Sequence, residues 1–203
     1  MNYIHFTFTP DMTAEVVLAA VMACWLGFAW ILVVGKRQSA KVEMERNAIS
    51  HAGFFVQGIG YGILFAAARP FFSPFVTMSK IAELIVGVVT IGVGVASVWF
   101  CLAAAQTLGK QWALVARVVE GHELVMEGPY GIVRNPIYLA MFGMLIATGL
   151  AVSSWQGFIL GTIVFLAGNE IRIRTEEKLL RGAFGVKFEE YERRVPAFLP
   201  RLF

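Results

Sequence analysis

The chain has 203 residues, 58% of them apolar and 15% charged, with a formal net charge of +3. A soluble domain of this length cannot hide so much apolar surface, because a small fold leaves much of itself exposed. The same figures exclude disorder and a collagen-like repeat, and two cysteines cannot make a disulfide scaffold, which leaves a small all-α integral membrane protein.

A bilayer core about 30 Å thick is crossed by about 20 apolar residues in a helix. Residues 1–12 hold no Lys or Arg, and a first span runs over about 13–35, stopping at Lys36-Arg37. No basic region precedes it, so no cleavable signal peptide is expected. A second span covers about 51–68 and ends at Arg69-Pro70, with Ser73-Pro74 completing a break that a helix does not cross. Phe71, Phe72 and Phe75 read as an interfacial aromatic anchor. A third span covers about 81–105. After the longest polar interval, 106–136, two shorter apolar stretches, 137–152 and 157–168, read as a tight hairpin split by Ser153-Ser154-Trp155-Gln156. From Asn169 onward the chain is polar, and Phe184, Phe188, Tyr191 and Val195 recur there at the spacing of an amphipathic helix suited to a membrane surface.

About five spans put the two termini on opposite sides, and the cations choose the side. Segments 36–50, 106–136 and 172–203 carry 15 of the 17 Lys and Arg, while the opposite face carries only Arg69 and Lys80. Cations stay on the cytoplasmic side. The N-terminus is therefore expected outside, and the 106–136 loop and the C-terminal tail cytoplasmic. Topology and attraction to anionic headgroups account for the positive excess, so no nucleic-acid partner is expected.

Several chemical-looking features have plain structural readings. Gly58-Ile59-Gly60-Tyr61-Gly62 does not complete the G-x-G-x-x-G nucleotide motif, and Gly58 and Gly62 stand at the spacing of close helix packing. His5, His51 and His122 are far apart, so no metal site is expected. Asp11 is the only aspartate and no G-x-S-x-G element occurs, which argues against a Ser-His-Asp hydrolase. Cys24 and Cys101 fall inside spans as small hydrophobes, and Glu15 and Glu83 sit in first helical turns, facing the helix dipole. Arg172 and Glu176 are four apart and share a helix face, which by itself needs no more than an exposed ion pair.

Two polar segments remain, and the topology sets them on one face. They read Gly128-Pro129-Tyr130, Arg134-Asn135-Pro136 and Tyr138, then Arg172, Glu176-Glu177, Leu180, Phe184-Gly185, Tyr191, Val195-Pro196 and Leu199-Pro200. In this order, and separated by a helical hairpin, they resemble the isoprenylcysteine carboxyl methyltransferase family, part of a wider membrane methyltransferase group that includes phospholipid N-methyltransferases. The resemblance covers roughly the last 85 residues. It divides one structural domain into an N-terminal three-helix region, 1–105, and a methyltransferase-like region, 106–203.

The resemblance implies S-adenosylmethionine as cofactor, bound in a cytoplasmic pocket closed by the 106–136 loop and the C-terminal helical tail. It implies cofactor-lining roles for His122, Glu123, Leu124, Val125, Tyr130, Asn135, Pro136, Ile137 and Tyr138. Glu176 matches the acidic residue that contacts the cofactor, and Arg172 the residue that faces the substrate. The family's Arg-His-Pro is Arg134-Asn135-Pro136 here. Asparagine retains hydrogen bonding but cannot carry a proton near neutral pH. The implied acceptor is a lipophilic small molecule, a lipid or a prenylated chain reached from among membrane lipids. A carboxylate acceptor would need no base and could be oriented by Arg172, whereas an amine would make Glu177 or His122 the candidate base. An NADPH-dependent membrane reductase of the sterol-reductase type, whose C-terminal region is similar, and a non-enzymatic membrane scaffold are the competing readings.

Overall fold

A computed structural model describes residues 12–38, 48–70, 79–109 and 124–200. Six α-helices follow in chain order: α1 (Met12–Gln38), α2 (Ala48–Ala66), α3 (Lys80–Leu108), α4 (Pro136–Val152), α5 (Trp155–Phe184) and α6 (Val186–Arg194). A short 3-10 turn, Gly128–Gly131, precedes α4. The first, third and fourth expected spans fall within α1, α3 and α4, and the second, 51–68, runs two residues past the end of α2. The Phe71–Phe75 stretch, His122 and Glu123 lie outside the described residues.

Local chemistry sets the helix ends. The Ser79 hydroxyl accepts the Ala82 N–H at 3.2 Å at the start of α3. Glu83 in the first turn pairs with Lys80 at 3.1 Å, where a carboxylate opposes the positive end of the helix dipole. Pro136 opens α4, where its missing N–H costs nothing. Ser154 caps α5, which then runs without a break for 30 residues, roughly 45 Å at 1.5 Å per residue. The polar stretch beyond Gly168 is therefore an extension of the same helix rather than a separate tail. Gly185 ends it at φ +51°, a left-handed conformation that glycine adopts without steric cost, and α6 starts immediately after.

The helices alternate in direction. Thr13 and Val17 of α1 meet Gly87 of α3, Cys24 meets Gly94 and Gly27 meets Val98, so α1 and α3 run parallel. Against α3, α4 runs antiparallel, with Gly143 opposite Ser97. Antiparallel packing of α2 on α5 brings backbone against backbone. A Cβ at Gly60 would stand 2.8 Å from the Gly161 carbonyl, and one at Gly168 2.6 Å from the Gln57 nitrogen. The close approach thus belongs to Gly53 and Gly60 facing Gly161 and Gly168, and not to Gly58 and Gly62, which have nothing within 4 Å. Helical periodicity explains the correction: 53, 57, 60 and 64 form the buried stripe of α2, and 58 and 62 fall outside it.

Two apolar cores result. Cys24, Phe28, Ile31, Cys101, Ala140 and Met144 join α1, α3 and α4, while Leu64, Leu145 and Phe165 join α2, α4 and α5. The polar ends of the aromatics between them are satisfied: Trp25 donates to Thr148 Oγ1 at 3.0 Å, and the Tyr61 hydroxyl to the Met141 carbonyl at 2.6 Å. Outside, Leu26, Trp30, Val88, Trp99 and Ile163 are exposed. By length and composition, α1 and α3 can each cross a membrane. Large apolar side chains facing outward around such helices suit lipid rather than water.

Candidate active site

The end of the bundle that holds the N-termini of α2 and α4 and the C-terminal half of α5 is polar inside. On α5, Asn169, Arg172 and Glu176 follow at spacings of three and four, so they share one face. Arg172 is 3% exposed and is enclosed on several sides. Its Nη1 donates to Gln57 Oε1 at 3.0 Å, its guanidinium lies 4.5 Å from the centre of the Tyr138 ring and 5.5 Å from that of Phe54, and Nη2 stands 3.9 Å from Glu176 Oε1. The Tyr138 hydroxyl donates to Glu176. Behind Gln57, its Nε2 donates to Asn169 Oδ1 at 2.9 Å. Arg172 and Glu176 are thus members of a buried network, not a solvated surface pair.

A second cluster clamps the tail onto the loop. Nε and Nη2 of Arg134 donate to the two oxygens of Glu177 at 2.9 and 3.0 Å, the forked geometry that makes such pairs strong. Its Nη1 donates to the carbonyls of Glu192 and Val195 at 3.0 and 2.5 Å. The Asn135 amide donates to Glu177 Oε1 at 3.2 Å and to the Ala197 carbonyl at 2.9 Å, and the backbone N–H groups of Arg134 and Asn135 reach Pro196 and Ala197. Although asparagine is a favoured N-cap residue, Asn135 makes no side-chain cap on α4, because its amide serves the tail instead.

Loop and tail also share apolar contacts. Leu124, Phe188 and Tyr191 form a buried cluster with Met126, Leu180, Phe184 and Val195 around it, and the Tyr191 hydroxyl donates to the Tyr130 carbonyl at 2.6 Å. The amphipathic pattern of the tail is real, but its apolar face covers the 124–130 segment rather than a membrane surface.

Burial dominates the electrostatics. It pushes the Glu176 carboxyl above its ordinary value of 4.5, against the opposing pull of Arg172 and the Tyr138 hydroxyl. Tyr130 is raised by burial first and by the Glu176 charge second, and burial raises Tyr191. Both phenols are therefore neutral hydrogen-bonding groups. Among the described residues, no group of three His, Cys, Asp or Glu is placed to hold a metal ion.

Of the residues expected at the site, Tyr138, Arg172 and Glu176 are in direct contact, with Tyr130 near Glu176. Asn135 stands behind them at Glu177. Ile137 packs against the α1–α3–α4 core, and the Leu124 side chain against α6. Pro136 is buried at the α4 start, while Val125 is half-buried. Both oxygens of Glu177 are already engaged by Arg134 and Asn135. Gln57 and Asn169 were not expected from the sequence, yet both are almost fully buried. A lone glutamine in an apolar span was the available sign, since an amide there needs a partner.

Comparison with known proteins bears on this cluster directly. The phospholipid methyltransferase family model matches residues 82–187, just over half of the chain, and includes Tyr130, Tyr138, Arg172 and Glu176. The chain is 35% identical over 97 residues to the cobalt-zinc-cadmium resistance protein CzcN of Cupriavidus metallidurans, covering 47% of this chain and 44% of that one. It is 33% identical over 79 residues to the protein-S-isoprenylcysteine O-methyltransferase of Schizosaccharomyces pombe, covering 39% and 34%. With methanethiol S-methyltransferase 2 of Bradyrhizobium diazoefficiens it shares 35% over 74 residues, covering 36% and 27%. The matches span less than half the length of each of these relatives. A helical bundle with an apolar exterior, a polar cluster at one end and a family match across the residues of that cluster lead to one assignment: the chain belongs to the phospholipid methyltransferase family, within the membrane methyltransferase group that includes the isoprenylcysteine O-methyltransferases.

Proposed function

We propose that this protein is a multi-pass membrane methyltransferase that uses S-adenosylmethionine and methylates a lipophilic acceptor on a carboxylate, with its site on the cytoplasmic face. The observation that carries the reading is the contact of Tyr138, Arg172 and Glu176, from two stretches of chain, inside the region the family model matches.

The residues present fit the methyl donor. Glu176 is a partly buried carboxylate that burial leaves short of countercharge, so the ammonium of the donor's amino-acid end is a suitable partner for it. Tyr130 and Tyr138 offer aromatic faces for a sulfonium cation. Bound there, S-adenosylmethionine supplies an electrophilic methyl group, which a carboxylate can accept with no proton to move. Arg172 supplies a fixed cation to orient that carboxylate, and positioning contributes a large share of the acceleration in such displacements. For an amine acceptor the engaged oxygens of Glu177 would leave His122, which lies outside the described residues, as the candidate base. The cytoplasmic assignment is supported by the cation bias of the sequence, in which segments 36–50, 106–136 and 172–203 carry 15 of the 17 Lys and Arg, and by the presence of Arg134 and Arg172 from two of those segments in the cluster.

The test is transfer of label. Membrane extract incubated with the purified protein and methyl-labelled S-adenosylmethionine is expected to yield a labelled lipophilic methyl ester, detected by mass spectrometry and released by mild base. Label that appears only in base-stable amine or thioether products contradicts the carboxylate assignment.

A further inference from the structure

We infer that Gln57 is a positioning residue for methyl transfer: its side-chain amide fixes the Arg172 guanidinium from the α2 side and, being neutral, adds no second countercharge to that of Glu176. The inference rests on Arg172 as the cation that faces a carboxylate acceptor. Gln57 lies outside the matched region 82–187, in the part of the chain where the sequence offered no motif.

The geometry allows Gln57 one arrangement. Arginine has only donors, so the amide must turn its oxygen toward Arg172, and its N–H groups then face Asn169 Oδ1. Both contacts are made by a side chain that is 1% exposed. The neighbouring turn of α2 holds the stem of the same arginine: a Cβ at Gly53 would stand 2.6 Å from Arg172 Cγ, and Phe54 on that turn faces the guanidinium. A role limited to joining α2 and α5 would be met by the Gln57–Asn169 bond and the glycine contacts. The bond to Arg172 goes beyond that need, since it sets the plane of a guanidinium already bounded by Tyr138 and Glu176. A carboxylate in place of the amide would hold the guanidinium equally well but set a second negative charge beside Glu176, against an incoming carboxylate.

The experiment uses the full-length protein in detergent, with N-acetyl-S-farnesylcysteine and palmitate as carboxylate probes, radiolabelled S-adenosylmethionine as donor, and calorimetric binding of S-adenosylhomocysteine as a separate readout. Gln57→Leu is expected to lower kcat at least tenfold, and Gln57→Glu to raise the acceptor KM at least tenfold. Both should bind S-adenosylhomocysteine within twofold of wild type. In an Arg172→Lys background, Gln57→Leu should have less than a twofold further effect. If Gln57→Leu does not fold, the isosteric Gln57→Glu decides alone. Variants with kcat and KM within twofold of wild type overturn the proposal, as does loss of S-adenosylhomocysteine binding in parallel with activity. A wild type that binds S-adenosylhomocysteine but methylates neither probe also overturns it. A wild type that does not bind S-adenosylhomocysteine removes the methyltransferase reading and this proposal together, a result distinct from active enzyme indifferent to position 57.

Discussion

At position 176 a carboxylate meets a phenol and a guanidinium, and burial still holds its pKa above 4.5. The folded chain therefore binds this proton more tightly than the unfolded chain does. Its contribution to stability is most favourable below the ordinary carboxyl range and is lost as pH rises from there to the raised value. The melting temperature of ligand-free Glu176→Gln should consequently exceed that of wild type above this window, and the difference should vanish below it, as scanning calorimetry from about pH 3 to about pH 8 will show. An equal difference at every pH would contradict the linkage. Arg134 represents the opposite case. With Glu177 it forms a buried pair, and Arg134→Ala leaves a carboxylate without its partner, a loss of about 3–5 kcal/mol. It should lower the melting temperature markedly and open residues 195–197 to proteolysis. A melting temperature unchanged in Arg134→Ala would show that the clamp is not made.

Among the elements, α4 is held at both ends by parts distant in sequence. Its start is tied to the tail through Asn135. Its C-terminal carbonyls receive Arg69, whose Nη atoms donate to Leu150, Ala151 and Ser153 at 2.9, 2.8 and 2.7 Å. Arg69 thus has a structural role at the negative end of a helix dipole. Hydrogen bonds from a charged group are worth about 1.5–3 kcal/mol each when buried, less when partly exposed, so Arg69→Met should destabilise by a few kcal/mol while S-adenosylhomocysteine affinity at the far end stays within twofold. Loss of that affinity would show that the two ends are coupled. Pro136, Ser154 and Gly185 set helix ends through chemistry that is local. The length of α5 was not legible in the sequence, because hydropathy changes at Asn169 while the backbone hydrogen bonding does not. The direction of the α6 apolar face also escaped the sequence: spacing reveals an apolar stripe but not what covers it.

For the molecule as a whole, the alternation of helices around an apolar exterior followed from composition and span length, and the pairing of Arg172 with Glu176 from a four-residue spacing. What remained hidden depends on contacts across the chain: Gln57 meets partners 112 and 115 residues away, and the glycines at the α2–α5 seam are set by what faces them. The central claim is that loop and tail meet to form one site for the methyl donor, with Glu176 as its anionic anchor. Titration calorimetry with S-adenosylhomocysteine tests it most directly. Wild type should bind with micromolar affinity and Glu176→Gln at least tenfold more weakly at pH 7.5, while a folded wild type that gives no binding heat, or a Glu176→Gln variant that binds as well as wild type, would contradict it.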